Sequence, residues 1–404
     1  MKNMFKKFNQ ILSYNKQNGP LATFIILLTR IFDIKSFKKI NIIDNYADFF
    51  GSPFGKVSEA KKKRKNTINW FIPPFGKGSG GHLNIFRFIK NLESLGFENR
   101  IIIVGLGHSL PSAKHLKSNI EKWFFPLKAE VYVGIKRKIP QSYFAFATSW
   151  KTAYYVKRFN GCIKKCYFVQ DYEPSFFSVG TDFTLAENTY KFNFSAFTAG
   201  TWLANKLRNE FNMETYSLGF SFDKSIYRPM AFNKKNDGIK RIFFYARPVT
   251  ARRAFELGLL VFNEIFRERK NIEIIFAGWD LSDYDIPFPH KSLGLLDLDK
   301  LPKLYSQCDV ALVLSLTNAS LLPLELMACK IPIVSNNGPN TEWLLNDQIC
   351  VLADLDIFQL KVALLKILNE EKFTKNLTDK AYLYVQSTDW HNEAIKLKNY
   401  LEKL

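Results

Sequence analysis

The chain has 404 residues, of which 47% are hydrophobic and 15% aromatic. This composition excludes a globally disordered protein, because the apolar side chains suffice for a folded core. The length suits two domains of about 150–200 residues each. The formal net charge of +20 predicts an anionic partner, either lipid headgroups or nucleic acid. Five cysteines without a paired CxxC pattern favour free thiols in a reducing compartment.

The beginning of the chain carries half of the excess charge. Residues 1–70 hold 14 Lys or Arg and 4 Asp or Glu, a net charge of +10, and no long apolar core typical of a signal peptide follows Met1. The apolar run Leu21–Phe32 has twelve residues, whereas a membrane-spanning helix needs about 20. Its flanking lysines favour a helix on an anionic membrane surface, with a buried helix as the alternative. We predict that residues 1–66 form a basic amphipathic extension.

From Thr67 onward the sequence alternates between strands and helices. The apolar run Thr67–Ile72 precedes a glycine-rich turn and a helix, and the same pattern begins again at Lys240–Ala246. Such alternation predicts parallel sheets with helices on both faces. We therefore expect an α/β fold with an N-terminal Rossmann-like domain at 67–230, a second one at 231–387 and a final helix at 388–404.

The second half contains a pattern typical of an anion site. A polar loop at Thr317–Ser320 precedes a helix that begins near Leu321, since Pro323 is tolerated in a first helical turn. Free amides at such a helix start, together with the helix dipole, bind anions. Glu325 lies about one turn further, where a carboxylate can accept two sugar hydroxyls of a nucleoside. The amides expected to face the ligand belong to Ser320, Leu321 and Leu322.

This stretch resembles the retaining glycosyltransferase family 4, which has the GT-B fold. The family's hallmark is two glutamates separated by seven residues, then an Ala-rich helix and a strand. Glu325 falls on the second glutamate, and Glu342 on a glutamate that often follows the next turn. Thr317 stands in place of the first glutamate, and Ser320 in place of a glycine. Because the family's first glutamate helps to hold the transferred sugar, this departure implies an altered donor sugar.

The segment Tyr245–Ala254 resembles the family's strand-end element with two cations. Arg247 falls on its arginine and Arg253 on the lysine six residues later, with Arg252 as a neighbouring candidate. The resemblance implies that both cations contact the donor diphosphate. Fixed cations there stabilise the charge that grows on the leaving phosphate. Arginines on a solvated helix face are the alternative.

The segment that begins at His290 resembles the part of the family fold that borders the nucleobase. The resemblance implies that Leu293 and Gly294 meet the base through backbone groups. Asp297 and Asp299 imitate a D-x-D metal motif, but that motif belongs to the other main glycosyltransferase fold. We interpret them as acids at a helix start and expect neither a metal nor another cofactor.

The first half offers further candidates at its strand ends. The glycine-rich loop, Gly76–His82, is not a Walker loop. Members of the resembled family use this loop to approach the donor phosphate or the acceptor, which makes Gly80 and Gly81 candidate contacts. His82 either contributes there or only begins the helix. Asp171 and Glu173 follow a strand end, where they could orient or deprotonate the acceptor hydroxyl, or cap the next helix. A dedicated base is not required if the donor phosphate assists the proton transfer.

The resemblance covers about residues 67–404 and implies two Rossmann-like domains facing across a cleft, with the final helix crossing back to the N-terminal domain. It is strongest to bacterial rhamnosyltransferases of surface-glycan synthesis, which use dTDP-L-rhamnose. The expected partners are therefore a nucleoside-diphosphate sugar, a lipid-linked oligosaccharide acceptor and the anionic inner face of the bacterial plasma membrane, where the protein would be cytoplasmic and peripheral. Open alternatives are a UDP- or GDP-sugar donor, a non-catalytic nucleotide-sugar-binding scaffold, and a basic nucleic-acid-binding protein, which ranks last.

Overall fold

The computed structural model describes residues 42–51, 54–55, 57–58, 64–106, 111–136, 138–230 and 237–404. Most of the predicted basic extension, including the apolar run at 21–32, lies outside these residues. The chain separates into two compact units, residues 1–48 and 49–404. None of the helices in the described part of the chain has the length and apolar content that a membrane span requires.

The secondary structure alternates as expected from Thr67 onward. The described strands are β1 (Val57–Ser58), β2 (Thr67–Ile72), β3 (Glu98–Ile103), β4 (Glu130–Val133), β5 (Ile139–Pro140), β6 (Ser142–Ala147), β7 (Cys162–Val169), β8 (Ser195–Ala199), β9 (Thr215–Leu218), β10 (Lys240–Tyr245), β11 (Ile272–Ala277), β12 (His290–Ser292), β13 (Val310–Val313), β14 (Ile333–Asn336) and β15 (Val351–Ala353). The described α-helices are α1 (Ile42–Phe50), α2 (Gly80–Ser94), α3 (Ala113–Trp123), α4 (Trp150–Arg158), α5 (Thr181–Asn188), α6 (Thr201–Phe211), α7 (Phe255–Glu268), α8 (Leu301–Tyr305), α9 (Leu322–Ala328), α10 (Pro339–Glu342), α11 (Ile357–Asn369), α12 (Glu371–Gln386) and α13 (Trp390–Lys403).

The first half is built on a seven-stranded parallel sheet in the order β4-β3-β2-β6-β7-β8-β9. Strand β2, in the interior of this sheet, is buried along its whole length. Its continuous apolar run fits this position, because helices cover both faces of a parallel sheet. In register, Thr67 of β2 pairs with Glu98 of β3. The chain order reverses between β2 and β6, and the loops on either side of such a switch point open a crevice.

The second half is built on a six-stranded parallel sheet in the order β12-β11-β10-β13-β14-β15. This is the doubly wound order in which the third, second and first strands precede the fourth, fifth and sixth. Its switch point lies between β10 and β13, which pair with Ile242 opposite Val310. Ligands of such sheets bind beyond the carboxyl ends of the strands at the switch point. We therefore expect the loops after Tyr245 and Val313 to form a binding site.

The last helix, α13, returns to the first half of the chain. Leu397 and Leu401 are buried in the apolar cluster that also contains β2 and α2 side chains. The backbone amide of Gly219, just after β9, donates to the Glu393 carboxylate over 2.6 Å. The chain thus crosses back over the N-terminal half after completing the second sheet.

Candidate anion-binding site at the carboxyl ends of the strands

Arg253 spans the switch point of the second sheet. It ends a 3₁₀ turn, Ala251–Arg253, that follows β10, and its Nη1 donates to the Ser315 Oγ, just after β13, over 2.8 Å. The next residue, Ala254, adopts a left-handed conformation with φ of 50°. Such a conformation costs a non-glycine residue about 1–2 kcal/mol. Backbone strain of this kind is concentrated at functional sites.

Two further arginines lie in the same loop. The Arg252 Nε lies 3.3 Å from the Asp171 carboxylate, and its guanidinium lies 4.0 Å from the centre of the Phe176 ring. The Arg247 guanidinium lies 5.7 Å from the centre of the Trp279 ring, which follows β11. Both guanidinium groups therefore lie within the roughly 6 Å at which a cation is attracted to an aromatic ring face.

The cluster of Arg247, Arg252 and Arg253, here called the arginine cluster, carries excess positive charge. Burial lowers the pKa of Arg253, and the positive charges of Arg252 and Arg247 lower it further, whereas the negative charge of Asp171 raises it. The Arg253 guanidinium nevertheless stays charged, as arginines in proteins do. Of these three arginines, Arg252 is the one that pairs with a carboxylate among the described residues, that of Asp171. The cluster therefore keeps a net positive charge, which suits an anionic ligand.

The predicted amide site lies further along the loop that begins at Ser315, the hydrogen-bond partner of Arg253. The Ser315 Oγ donates to the Asn318 carbonyl over 2.7 Å. Helix α9 begins at Leu322, with Leu321 at its N-cap and a proline in its first turn, one residue beyond the expected start. No group in the part of the chain that the structure describes accepts a hydrogen bond from the amides of Ser320, Leu321 or Leu322. These three donors are therefore available to a bound ligand.

Asp171 joins the two halves of the molecule. Its Oδ2 accepts from the Thr317 hydroxyl and its Oδ1 from the Asn318 amide, both over 2.9 Å. The Asn318 side chain in turn donates to the carbonyls of Gln170 and Ala199 in the first half. All these contacts are largely buried, and we call them the Asp171–Asn318 bridge. The Tyr172 amide also donates to Oδ1 over 2.9 Å, and Arg252 lies against Oδ2. With two partners at each oxygen, Asp171 can accept a proton from an acceptor hydroxyl only if some of these contacts open.

Glu173 lies within the first half and stabilises a helix start. Its carboxylate accepts from the Trp150 amide, the first residue of α4, over 2.7 Å. The Tyr167 hydroxyl lies 3.5 Å away. Burial raises the pKa of Glu173 to about 8, so the group is mainly protonated at neutral pH. Glu173 thus contacts the start of α4, which precedes it in the chain, whereas the sequence suggested that it caps the helix after it.

Glu325 lies in α9, where burial raises its pKa to about 7. The nearby Tyr227 hydroxyl and the Arg87 guanidinium lower it, and Asp223 raises it further. Both protonation states are therefore populated at neutral pH. The ionised form is the one that can accept hydrogen bonds from two hydroxyls.

Arg87 is a residue that sequence reasoning missed. It is buried in α2, donates to the Asn84 side chain over 2.8 Å, and lies over the Trp390 ring at 4.5 Å. Its positive charge acts on Glu325 from the other half of the molecule. The available signal was a charged residue between Phe86 and Phe88 on an apolar helix.

The glycine-rich loop leads into α2 at Gly80, around which the structure leaves open space. The Gly81 carbonyl accepts from the Gln170 side chain over 3.1 Å, so this loop lies beside the Asp171–Asn318 bridge. The His82 Nδ1 lies 2.7 Å from the Ser79 hydroxyl. Burial lowers the pKa of His82 to about 4, which leaves the ring neutral at neutral pH. His82 can therefore exchange hydrogen bonds but supplies no positive charge.

The predicted base-binding groups are partly engaged by the fold. The Leu293 amide donates to the Phe276 carbonyl, and the Gly294 carbonyl accepts from the Gly278 amide. Gly294 adopts a φ of 60°, which favours glycine. In the described structure this leaves the Leu293 carbonyl and the Gly294 amide as the groups that could meet a base.

Asp297 precedes the 3₁₀ turn Leu298–Lys300, as expected for a helix-start acid, but it does not cap that turn. Its carboxylate pairs instead with Lys77 of the glycine-rich loop at 2.9 Å. This ion pair is exposed and brings the loop of the first half to the base-side loop of the second. Among the described residues, no group of three or more acidic, His or Cys side chains could hold a metal.

Glu342 has a different environment from the other candidates. Its exposed side chain accepts from the Gly338 amide over 2.8 Å at the start of α10. It lines a groove beside Trp202 and Trp343. The described contacts do not connect it to the arginine cluster.

Comparison with known proteins agrees with this architecture. Residues 240–365 match the family described as WsaF, C-terminal domain. The chain is 31% identical over 314 residues to the O-antigen biosynthesis protein RfbC of Myxococcus xanthus. That alignment covers 75% of this chain and 24% of the relative, so the chain spans about a quarter of the length of that relative.

Solved structures share the fold at low sequence identity. Sucrose-phosphate synthase of Thermosynechococcus elongatus superposes with a TM-score of 0.64 at 12% identity, covering 84% of this chain and 98% of that one. HepE of Anabaena, solved in complex with UDP and glucose, superposes with a TM-score of 0.63 at 14% identity, covering 84% of this chain and 100% of that one. The chain therefore has the GT-B fold of two parallel-sheet α/β domains predicted from its sequence, and its second half is similar to the C-terminal domain of WsaF.

Proposed function

We propose that the chain is a glycosyltransferase of surface-glycan synthesis that uses a nucleoside-diphosphate sugar. The observation that carries this proposal is the arginine cluster at the switch point of the second sheet, together with the three amides of the loop after Ser315 that have no acceptor among the described residues. The similarity to an O-antigen biosynthesis protein supports the assignment to surface-glycan synthesis. HepE, which shares the fold, is solved with UDP-glucose, which supports the ligand class.

The site offers a specific chemistry. When the bond between the sugar carbon and the phosphate oxygen breaks, the electron pair stays on the phosphate and negative charge develops there. Arg253 and Arg247 oppose that charge most strongly in the transition state, which accelerates the reaction. The ionised Glu325 would accept the hydroxyls of the nucleoside's own sugar.

The acceptor hydroxyl forms the new bond and loses its proton. Asp171 is engaged in the bridge and Glu173 is mainly protonated, so we assign the proton to the departing phosphate oxygen, on the same face of the sugar. This route retains the anomeric configuration. It needs no metal, and the Asp297 carboxylate is already paired with Lys77.

The finer assignments extend the same proposal. We propose dTDP-L-rhamnose as the donor. Thr317 stands where family 4 glycosyltransferases have a glutamate that holds the transferred sugar, and its hydroxyl donates to Asp171 instead. We also propose a lipid-linked glycan as the acceptor, which the similarity to an O-antigen biosynthesis protein supports. The basic extension supports a peripheral position at the inner membrane face. UDP- and GDP-sugars are the alternative donors.

A donor screen with the full-length protein tests the proposal. The midpoint of thermal unfolding is measured with UDP-, GDP- and dTDP-sugars, and nucleoside-diphosphate release is then followed with each. We expect one nucleotide class to raise the midpoint and to be released slowly by donor hydrolysis. A raised midpoint without release, even when lipid-linked glycan acceptors are added, would favour the non-catalytic scaffold. Neither effect with any donor would contradict the proposal.

A further inference from the structure

A groove of about 420 Å³, lined by both polar and aromatic side chains, lies between one helix of each half of the molecule. Helix α6 forms one wall and the start of α10 the other. This volume falls in the range of roughly 300–1,000 Å³ that small-molecule sites occupy. The groove lining includes Trp202, Lys206, Asn209, Glu210, Glu342 and Trp343.

The wall formed by α6 presents unpartnered recognition groups. Trp202 and Asn209 are seven positions apart, about two helical turns, and therefore share a face. In the described structure neither side chain forms a hydrogen bond or a ring contact with another residue. Lys206 and Glu210 pair with each other at 2.7 Å, so their charges offset and the groove has no excess positive charge.

These groups fit a saccharide better than other ligands. A tryptophan presents a broad apolar face and a polar N–H, which suits the C–H face and the hydroxyls of a pyranose ring. An asparagine side chain both donates and accepts hydrogen bonds, as a sugar hydroxyl does. A phosphate would need excess positive charge, and an acyl chain would leave the groove's polar groups without partners.

The groove is connected to the candidate site through Trp343. Its Nε1 donates to the Asn318 side chain over 2.7 Å, and Asn318 bonds Asp171, the partner of Arg252. A ligand in the groove would touch both halves of the molecule close to the Asp171–Asn318 bridge. We propose that this groove binds a saccharide unit of the acceptor glycan, a proposal that rests on the function proposed above.

Saturation-transfer NMR on the full chain tests the inference. The probes are the methyl glycosides of L-rhamnose, D-glucose, D-galactose and N-acetyl-D-glucosamine. We expect at least one to bind, and Trp202→Ala to weaken that binding by about tenfold, as loss of roughly 1.4 kcal/mol does. Asn209→Ala should weaken it by about fivefold through one lost hydrogen bond. Both residues lie on helix α6, where alanine is a favourable residue. The midpoint of thermal unfolding of both variants should therefore stay close to that of the wild type.

Asn376→Ala, an exposed asparagine on α12, is the matched control and should bind as the wild type does. Unchanged binding in Trp202→Ala, or no binding of any probe to the wild type, would overturn the inference. Binding of the donor nucleotide is measured in parallel. If the donor binds and the groove variants have no effect, only the groove assignment fails; if no donor binds, the proposed function fails.

Discussion

Glu325 shows how a buried position sets the chemistry of a single side chain. Its pKa of about 7 lies above the usual 4.5 because burial disfavours the charge, in spite of Tyr227 and Arg87 nearby. Since the folded protein holds this proton more tightly than the unfolded chain does, Glu325 lowers the stability of the free protein as pH rises from about 4.5 to 7. A bound nucleoside that donates two hydroxyl hydrogen bonds favours the ionised form.

We expect this residue to make the binding of the proposed nucleotide ligand dependent on pH. The affinity of the wild type for an intact sugar nucleotide should rise about tenfold between pH 6 and pH 8, as the ionised fraction of Glu325 increases. In Glu325→Gln the affinity should be weaker and nearly constant, whereas the exposed Glu402→Gln should behave as the wild type does. Calorimetric titrations at several pH values measure this. A Gln variant with the wild-type pH profile would show that Glu325 does not contact the ligand.

At the scale of elements, the start of helix α6 depends on a close approach between the halves. Gly200 precedes the helix with a φ of 84°, and a methyl group on its Cα would lie 2.3 Å from the Trp343 ring. Gly96 has a similar φ of 88° but open space around it. Gly200 also has a ψ of 166°, a backbone region essentially confined to glycine. An alanine at Gly200 therefore meets both backbone strain and steric overlap, whereas one at Gly96 meets no overlap.

Alanine substitution at both positions measures that overlap. Gly96→Ala should destabilise by about 1–2 kcal/mol through the positive φ alone. Gly200→Ala should cost about 1–3 kcal/mol more, because the added methyl group displaces Trp343 and because alanine disfavours the backbone conformation of Gly200. Denaturant unfolding followed by circular dichroism gives both values. Equal losses in the two variants would mean that Trp343 moves away freely.

The elements that the sequence revealed are those with strong local signals. The apolar run of β2 and the proline at the start of α9 mark their elements without reference to the rest of the chain. Strands β9 and β15 lack such a signal, because they are short, lie at the edges of their sheets and are only partly buried. Their pairing depends on neighbours that are already in place.

The residues of the candidate site also divide into those with a local sequence signal and those whose partners lie far away in the sequence. The arginine pattern and the amide loop are local and could be predicted. The partners of Asp171 lie 146 and 147 positions away, and the Lys77–Asp297 pair joins residues 220 positions apart. Arg87 and Asn318 also act across the two halves, so their positions follow from domain packing and not from sequence spacing.

At the scale of the whole molecule, the Asp171–Asn318 bridge holds the two halves together. Asp171→Asn should lower the first unfolding transition and increase the radius of gyration, since hydrogen bonds to a buried charge contribute about 1.5–3 kcal/mol each. The exposed Asp297→Asn also removes a contact between the halves but should have little effect. Scanning calorimetry and small-angle X-ray scattering distinguish the variants. Identical behaviour of the two would show that the bridge does not control the arrangement.

The central claim is that the arginine cluster binds the diphosphate of a nucleotide. Calorimetric titration of UDP, GDP and dTDP, each beside its nucleoside, tests it with Arg253→Ala and the exposed control Arg267→Ala. We predict that one diphosphate binds the wild type and the control equally. Arg253→Ala should bind it about 10–100-fold more weakly, through the loss of roughly 1.5–3 kcal/mol, while nucleoside binding is unchanged. Equal diphosphate affinity in Arg253→Ala and the wild type, or no binding of any diphosphate, would contradict the account.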